Sequence, residues 1–78
     1  MKYKKVQIEW LDSKSGPSGW EYKDELSILE PTKCLTLGFM LEDRQAYKVI
    51  AQSISDTQIY SRIAIPTECI VNIKIWEE

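Results

Sequence analysis

Apolar and polar positions alternate with a period of two along much of this chain, the pattern of half-buried β-strands. Val6, Ile8 and Trp10 alternate with Gln7 and Glu9 and predict a first strand ending at Asp12. Asp12–Gly19 (DSKSGPSG) reads as a loop by composition. Ser18-Gly19-Trp20-Glu21 fits a capping box, and Tyr22, Leu26 and Leu29 share one helical face, with Pro31 past the end. These signals predict a short helix over Gly19–Leu29; the rival reading is a strand at Trp20–Tyr22. Cys34–Glu42 predicts the next strand, with Leu35, Leu37, Phe39 and Leu41 on one face and Thr36, Gly38, Met40 and Glu42 on the other. Gly38 within it predicts a bulge or sharp bend.

The second half is more regular. Tyr47–Ser53 predicts a strand and Ser53–Gln58 a hairpin connection rich in turn-forming Ser and Asp. Ile59, Ser61, Ile63 and Ile65 then alternate with Tyr60, Arg62 and Ala64 up to Pro66, which cannot donate to a ladder. After a tight turn at Pro66–Cys69, Ile70–Trp76 predicts the last strand. Ile59, Ile63, Ile65, Val71, Ile73 and Ile75 read as core. The sum is a mainly β domain over residues 1–78. Its expected form is a small five-stranded SH3-like or Sm-like barrel, or a strongly curved antiparallel sheet, with one short helix after the first strand.

Composition narrows the function classes. At 78 residues one small core carries thin stability, for which oligomerisation is a common remedy, so a homo-oligomer is expected. The net charge of -2 opposes general nucleic-acid binding, since the main basic cluster is Lys2, Lys4 and Lys5, with Glu9 and Asp12 close behind. No histidine is present, which removes Ser–His–Asp and Cys–His catalysis and His-rich metal sites. Cys34 and Cys69 lack C-x-x-C partners and read as small core hydrophobes with reduced thiols. No phosphate-binding glycine loop occurs, and the acids are dispersed, with Glu77-Glu78 read as solvated charge. The expectation is therefore a non-enzyme with no cofactor and no metal. The N-terminus lacks a signal-peptide pattern and no apolar run reaches a membrane span, so a cytoplasmic protein is expected.

Two polar regions carry the candidate ligand chemistry. Trp10, Asp12, Ser13 and Trp20 bracket the first loop, where an indole could stack a flat ligand and short polar side chains orient it. The same residues also read as a core tryptophan, a turn, and a tryptophan packing a helix start. Gln52, Ser53, Ser55 and Asp56 line the hairpin and could hold a phosphate or sugar hydroxyl, or serve only as turn residues. Arg62 could pair an anion or a subunit's carboxylate, or stand solvated.

In order along the chain run W-x-D-S (Trp10–Ser13), G-W (Gly19-Trp20), C-x-T-x-G (Cys34–Gly38), A-Q-S-x-S-D (Ala51–Asp56) and I-x-I-P (Ile63–Pro66). In that layout the chain resembles a group of short, mostly uncharacterised accessory proteins of tailed-phage and prophage genomes. The resemblance implies expression in a bacterial host cytoplasm and brings no catalytic residues. By analogy with phage proteins that block host defence, it raises sequestration of a nucleotide-type signal. The alternatives are docking on a host or phage protein and, against the acidic balance, RNA or single-stranded DNA binding.

Overall fold

The alternating segments form one antiparallel sheet of five strands: β1 (Lys5–Asp12), β2 (Thr32–Asp43), β3 (Tyr47–Ile54), β4 (Ile59–Pro66) and β5 (Ile70–Trp76). The computed structural model describes residues 3–76. Lys2 and the Glu77-Glu78 pair lie outside the described residues. The strand order is β4-β3-β2-β1-β5. Successive strands pair as a meander until β5 crosses to the far side of β1. The β4 and β5 edges are not joined, so the sheet is open: of the two expected forms, the barrel is corrected and the five-stranded antiparallel sheet is the one that forms.

β2 is the strand on which the fold turns. Its first part pairs with β1 from Asp12↔Thr32 to Lys5↔Phe39. From Phe39 it pairs with β3 instead, at Phe39↔Ala51 and Met40↔Ile50. The strand shifts register before Glu42↔Val49, leaving Leu41 as the extra residue. Gly38 sits where the pairing changes over. A Cβ there would strike the Ala51 carbonyl oxygen and lie 2.8 Å from Ile50 Cγ2. The strands cross too closely for a side chain, so glycine is required by space.

Residues opposite one another in a ladder share a face of the sheet. Val6, Ile8 and Trp10 therefore share the inner face with Gly38, Thr36 and Cys34 of β2, and Ile75, Ile73 and Ile70 of β5. Val6, Ile8, Ile50 and Ile65 make the buried cluster, with Trp10, Met40, Ile70 and Ile73 packed against it. Of the expected core, Ile65 is buried and Ile73 packs on the cluster. Ile59, Ile63, Val71 and Ile75 are exposed. With the sheet open, no facing strand covers Ile59, Ile63 and Ile75, and Val71 is the extra residue in a register shift between Glu9 and Trp10. Both cysteines are free and half-buried rather than fully enclosed.

The predicted helix over Gly19–Leu29 does not form. Segment 13–31 is an exposed arm whose one ordered turn is a 3-10 turn at Lys23–Glu25, with no side-chain cap. Tyr22 and Leu26, on either side of the turn, are extended. The physical reason is tertiary: Tyr22, Leu26 and Leu29 are all exposed, so an amphipathic helix here would have no core to pack against. The other connections are short. Arg44 N–H donates to Tyr47 O at 3.0 Å in the β2–β3 turn. The 3-10 turn Thr67–Cys69 joins β4 to β5, and Thr67 N–H donates to Ala46 O at 2.9 Å.

Candidate functional site

Two surfaces of the molecule leave large apolar side chains in water. The first is the arm. It carries Trp20, Tyr22, Leu26, Ile28 and Leu29, every one exposed, and Trp20 reaches 104% of its reference exposure, meaning that it packs on nothing. The second is the outer face of β2, β1 and β5. The ladder register puts Leu35, Leu37 and Phe39 of β2 beside Glu9, Gln7 and Lys5 of β1, with Lys74 and Trp76 of β5 beyond. Leu35 and Leu37 are each 58% exposed. Lys74 Nζ lies 5.0 Å from the centre of the Trp76 ring, a cation–π distance.

Two shallow hollows mark this outer face. One, of about 410 Å³, is lined by Glu9, Leu11, Lys33, Leu35 and Val71 together with Trp10 and Cys34. The other, of about 470 Å³, is lined by Lys5, Leu37, Phe39 and Trp76 together with Val6 and Gly38. The accessible surface of the whole chain is 6787 Å², against about 4,900 Å² for a compact monomer of this mass. The radius of gyration is 16.5 Å, against about 11.5 Å for a compact domain of this length. Every residue from Leu11 to Lys33 is exposed, so the β1–β2 hairpin end and its arm account for much of the excess.

The residues expected to bind a ligand are dispersed between local roles. The Trp10 indole is half-buried and donates Nε1–H to Thr36 Oγ1 at 2.9 Å. Asp12 Oδ1 accepts from Ser13 N–H at 2.9 Å. Trp20 stands free on the arm, so it and Trp10 do not make a stacking pair. In the β3–β4 turn, Ser55 Oγ accepts from Gln58 N–H at 2.8 Å and from Thr57 N–H at 3.2 Å. Its hydroxyl is thus committed to the turn, while Gln52, Ser53 and Asp56 are exposed nearby. Arg62 is exposed on β4 opposite Ala51 and makes no ion pair among the described residues.

Electrostatics add little. The Glu42 carboxylate accepts a hydrogen bond from Arg44 at 3.0 Å and holds that guanidinium above its ordinary range. Lys48 pairs with Asp43. Among the described residues no group of three or more Cys, Asp and Glu could hold a metal ion, and no helix is long and apolar enough to cross a membrane.

Sequence reasoning expected an apolar outer face with Trp76 on it, but not that Leu35, Leu37 and Phe39 of β2 build it. The run CLTLGFML marks an apolar face at Leu35, Leu37, Phe39 and Leu41, but alternation does not say that this face turns away from the core. No protein-family model, characterised protein or solved structure matches this chain.

Proposed function

We propose that this chain is a phage- or prophage-encoded, non-catalytic binding protein that docks on a host or phage protein through its 13–31 arm. The carrying observation is that five large apolar side chains of the arm stay exposed, none less than 54%. An extended segment with exposed anchors suits insertion into a groove or addition to a sheet edge. Glu21, Asp24, Glu25 and Glu30 outnumber Lys14 and Lys23 on the arm, so the complementary partner is an apolar groove with a basic rim.

The strand order supports placing the fold beside SH3-like and Sm-like barrels as an open form. Its two edges, β4 and β5, are chain neighbours, and pairing them would close the sheet. Docking is favoured over sequestration of a nucleotide-type signal because Trp10, Trp20 and the Ser55 turn do not converge on one pocket. RNA or single-stranded DNA binding has the net charge of -2 against it.

The test uses the pairing of Asp12 with Thr32, which allows the arm to be replaced by a two-residue Asn-Gly turn. The shortened chain should keep its β-sheet circular dichroism. In parallel captures from host lysate, a partner should be retained by the natural chain, lost by the shortened one, and lost by the W20S/I28S double variant. A partner retained equally by all three would remove the arm from the docking role.

A further inference from the structure

The outer face of β2, β1 and β5 has a symmetry of its own. Lys5 and Glu9 are exposed and lie on one face of β1, two positions either side of Gln7. Neither makes an ion pair among the described residues. On β2, Phe39 stands opposite Lys5, Leu37 opposite Gln7 and Leu35 opposite Glu9. The face thus carries a positive end and a negative end about a central Gln7–Leu37 level, and the apolar row runs through it.

We propose that a second copy of this chain covers this face, related by a two-fold axis that crosses the strands at the level of Gln7. That operation lays each sheet on the other with strands antiparallel. Lys5 then meets the partner's Glu9, and Glu9 meets the partner's Lys5. Leu37 packs on the partner's Leu37, and Leu35 on the partner's Phe39. Each of the two hollows faces the other across the interface. Lys74, opposite Gln7, lies at the level of the axis, but its ammonium leans over Trp76 towards the Lys5 end. The two copies of Lys74 therefore lean apart, each towards the level of the partner's Glu9. The second in-plane axis, along the strands, would set Lys5 against the partner's Lys5 and Glu9 against the partner's Glu9. Like charges reject that arrangement. Two aligned sheets packed in this way are an ordinary β-sandwich contact, and the interface is isologous.

The face is apolar enough for a second copy, with Leu35 and Leu37 each 58% exposed. A stable interface takes about 800 Å² from each partner. The dimer goes beyond the docking role, because the face and the arm are different surfaces.

Sedimentation of the full chain decides it. The natural protein should run at twice its 9.1 kDa chain mass at micromolar concentration. K5E alone and E9K alone each create like-charge pairs and should weaken the dimer by about tenfold or more. The K5E/E9K double variant restores opposite pairs and should recover the natural association. L37K should give a folded monomer by circular dichroism; if it misfolds, the charge-swap series stands without it. The arm-shortened chain should remain a dimer. A monomeric natural protein, a double variant that stays as weak as the single ones, or a dimer lost with the arm would each overturn the proposal. Loss of partner capture with the dimer intact concerns the arm alone.

Discussion

Gly38 and Ile8 show how much a single position carries in so small a protein. A methyl at position 38 would press on the Ala51 carbonyl, which is backbone and cannot rotate away. G38A should cost about 3 kcal/mol in urea unfolding, at the upper end of overpacking costs. Ile8 is fully buried in the central cluster, and I8A should cost about 2–5 kcal/mol. A domain of this size has only about 4–12 kcal/mol to lose, so either variant should show a large fall in its unfolding midpoint. The Trp10–Thr36 bond is a smaller contribution: W10F should cost about 1 kcal/mol and T36V about the same, with the double variant less than additive. Gly38 is legible in the sequence as a bulge or bend, because a glycine inside an apolar alternation packs nothing on either face; that a neighbouring backbone fills its place is not. The exposure of Leu35 and Leu37 is not, because alternation divides a strand into two faces without saying which one meets the core.

At the scale of elements, strands are more legible than the arm. The pattern bounds Ile70–Trp76 as observed, and Cys34–Glu42 and Tyr47–Ser53 fall short by at most two residues at either end. Ser and Asp between two apolar runs also mark the β3–β4 turn, where one hydroxyl serves two backbone amides. S55A should cost about 1 kcal/mol without changing the strand content, measured by thermal unfolding with circular dichroism. The helix expectation rests on a capping box and an i, i+4, i+7 face, both local signals. Helices of that length draw their stability from packing, and the arm has none. The arm contributes little to the core, so its replacement by a tight turn should leave the unfolding midpoint within a few degrees.

The molecule as a whole is elongated, 54 Å in its longest dimension against 18 Å in its shortest. Solution scattering should separate its two unusual surfaces. A monomeric L37K chain should keep a radius of gyration near 16.5 Å, and shortening the arm on that background should bring it towards about 12 Å. A monomer already near the compact value with its arm present would show the arm folded onto the sheet. The open edge between β4 and β5 belongs to this scale as well. Pro66, which cannot donate to a ladder, marks β4 in the sequence as a strand that ends there or lies at an edge, and it closes an edge strand; nothing in β5's own pattern marks the other edge.

Period, composition and backbone sterics act within a few residues, and the linear chain is enough to read them. They establish that the protein is mainly β, where its five strands run, that the strand through Gly38 is irregular there, and that histidine chemistry is absent; the want of space at Gly38 comes from β3. The open sheet, the outward leucines of β2 and the unpacked arm come instead from contacts between distant segments. Register is set by partners far apart in the chain: the pairing of Val6 with Gly38 and Ile8 with Thr36 turns one face of β2 inward, and Leu35 and Leu37 must follow the pleat to the other side.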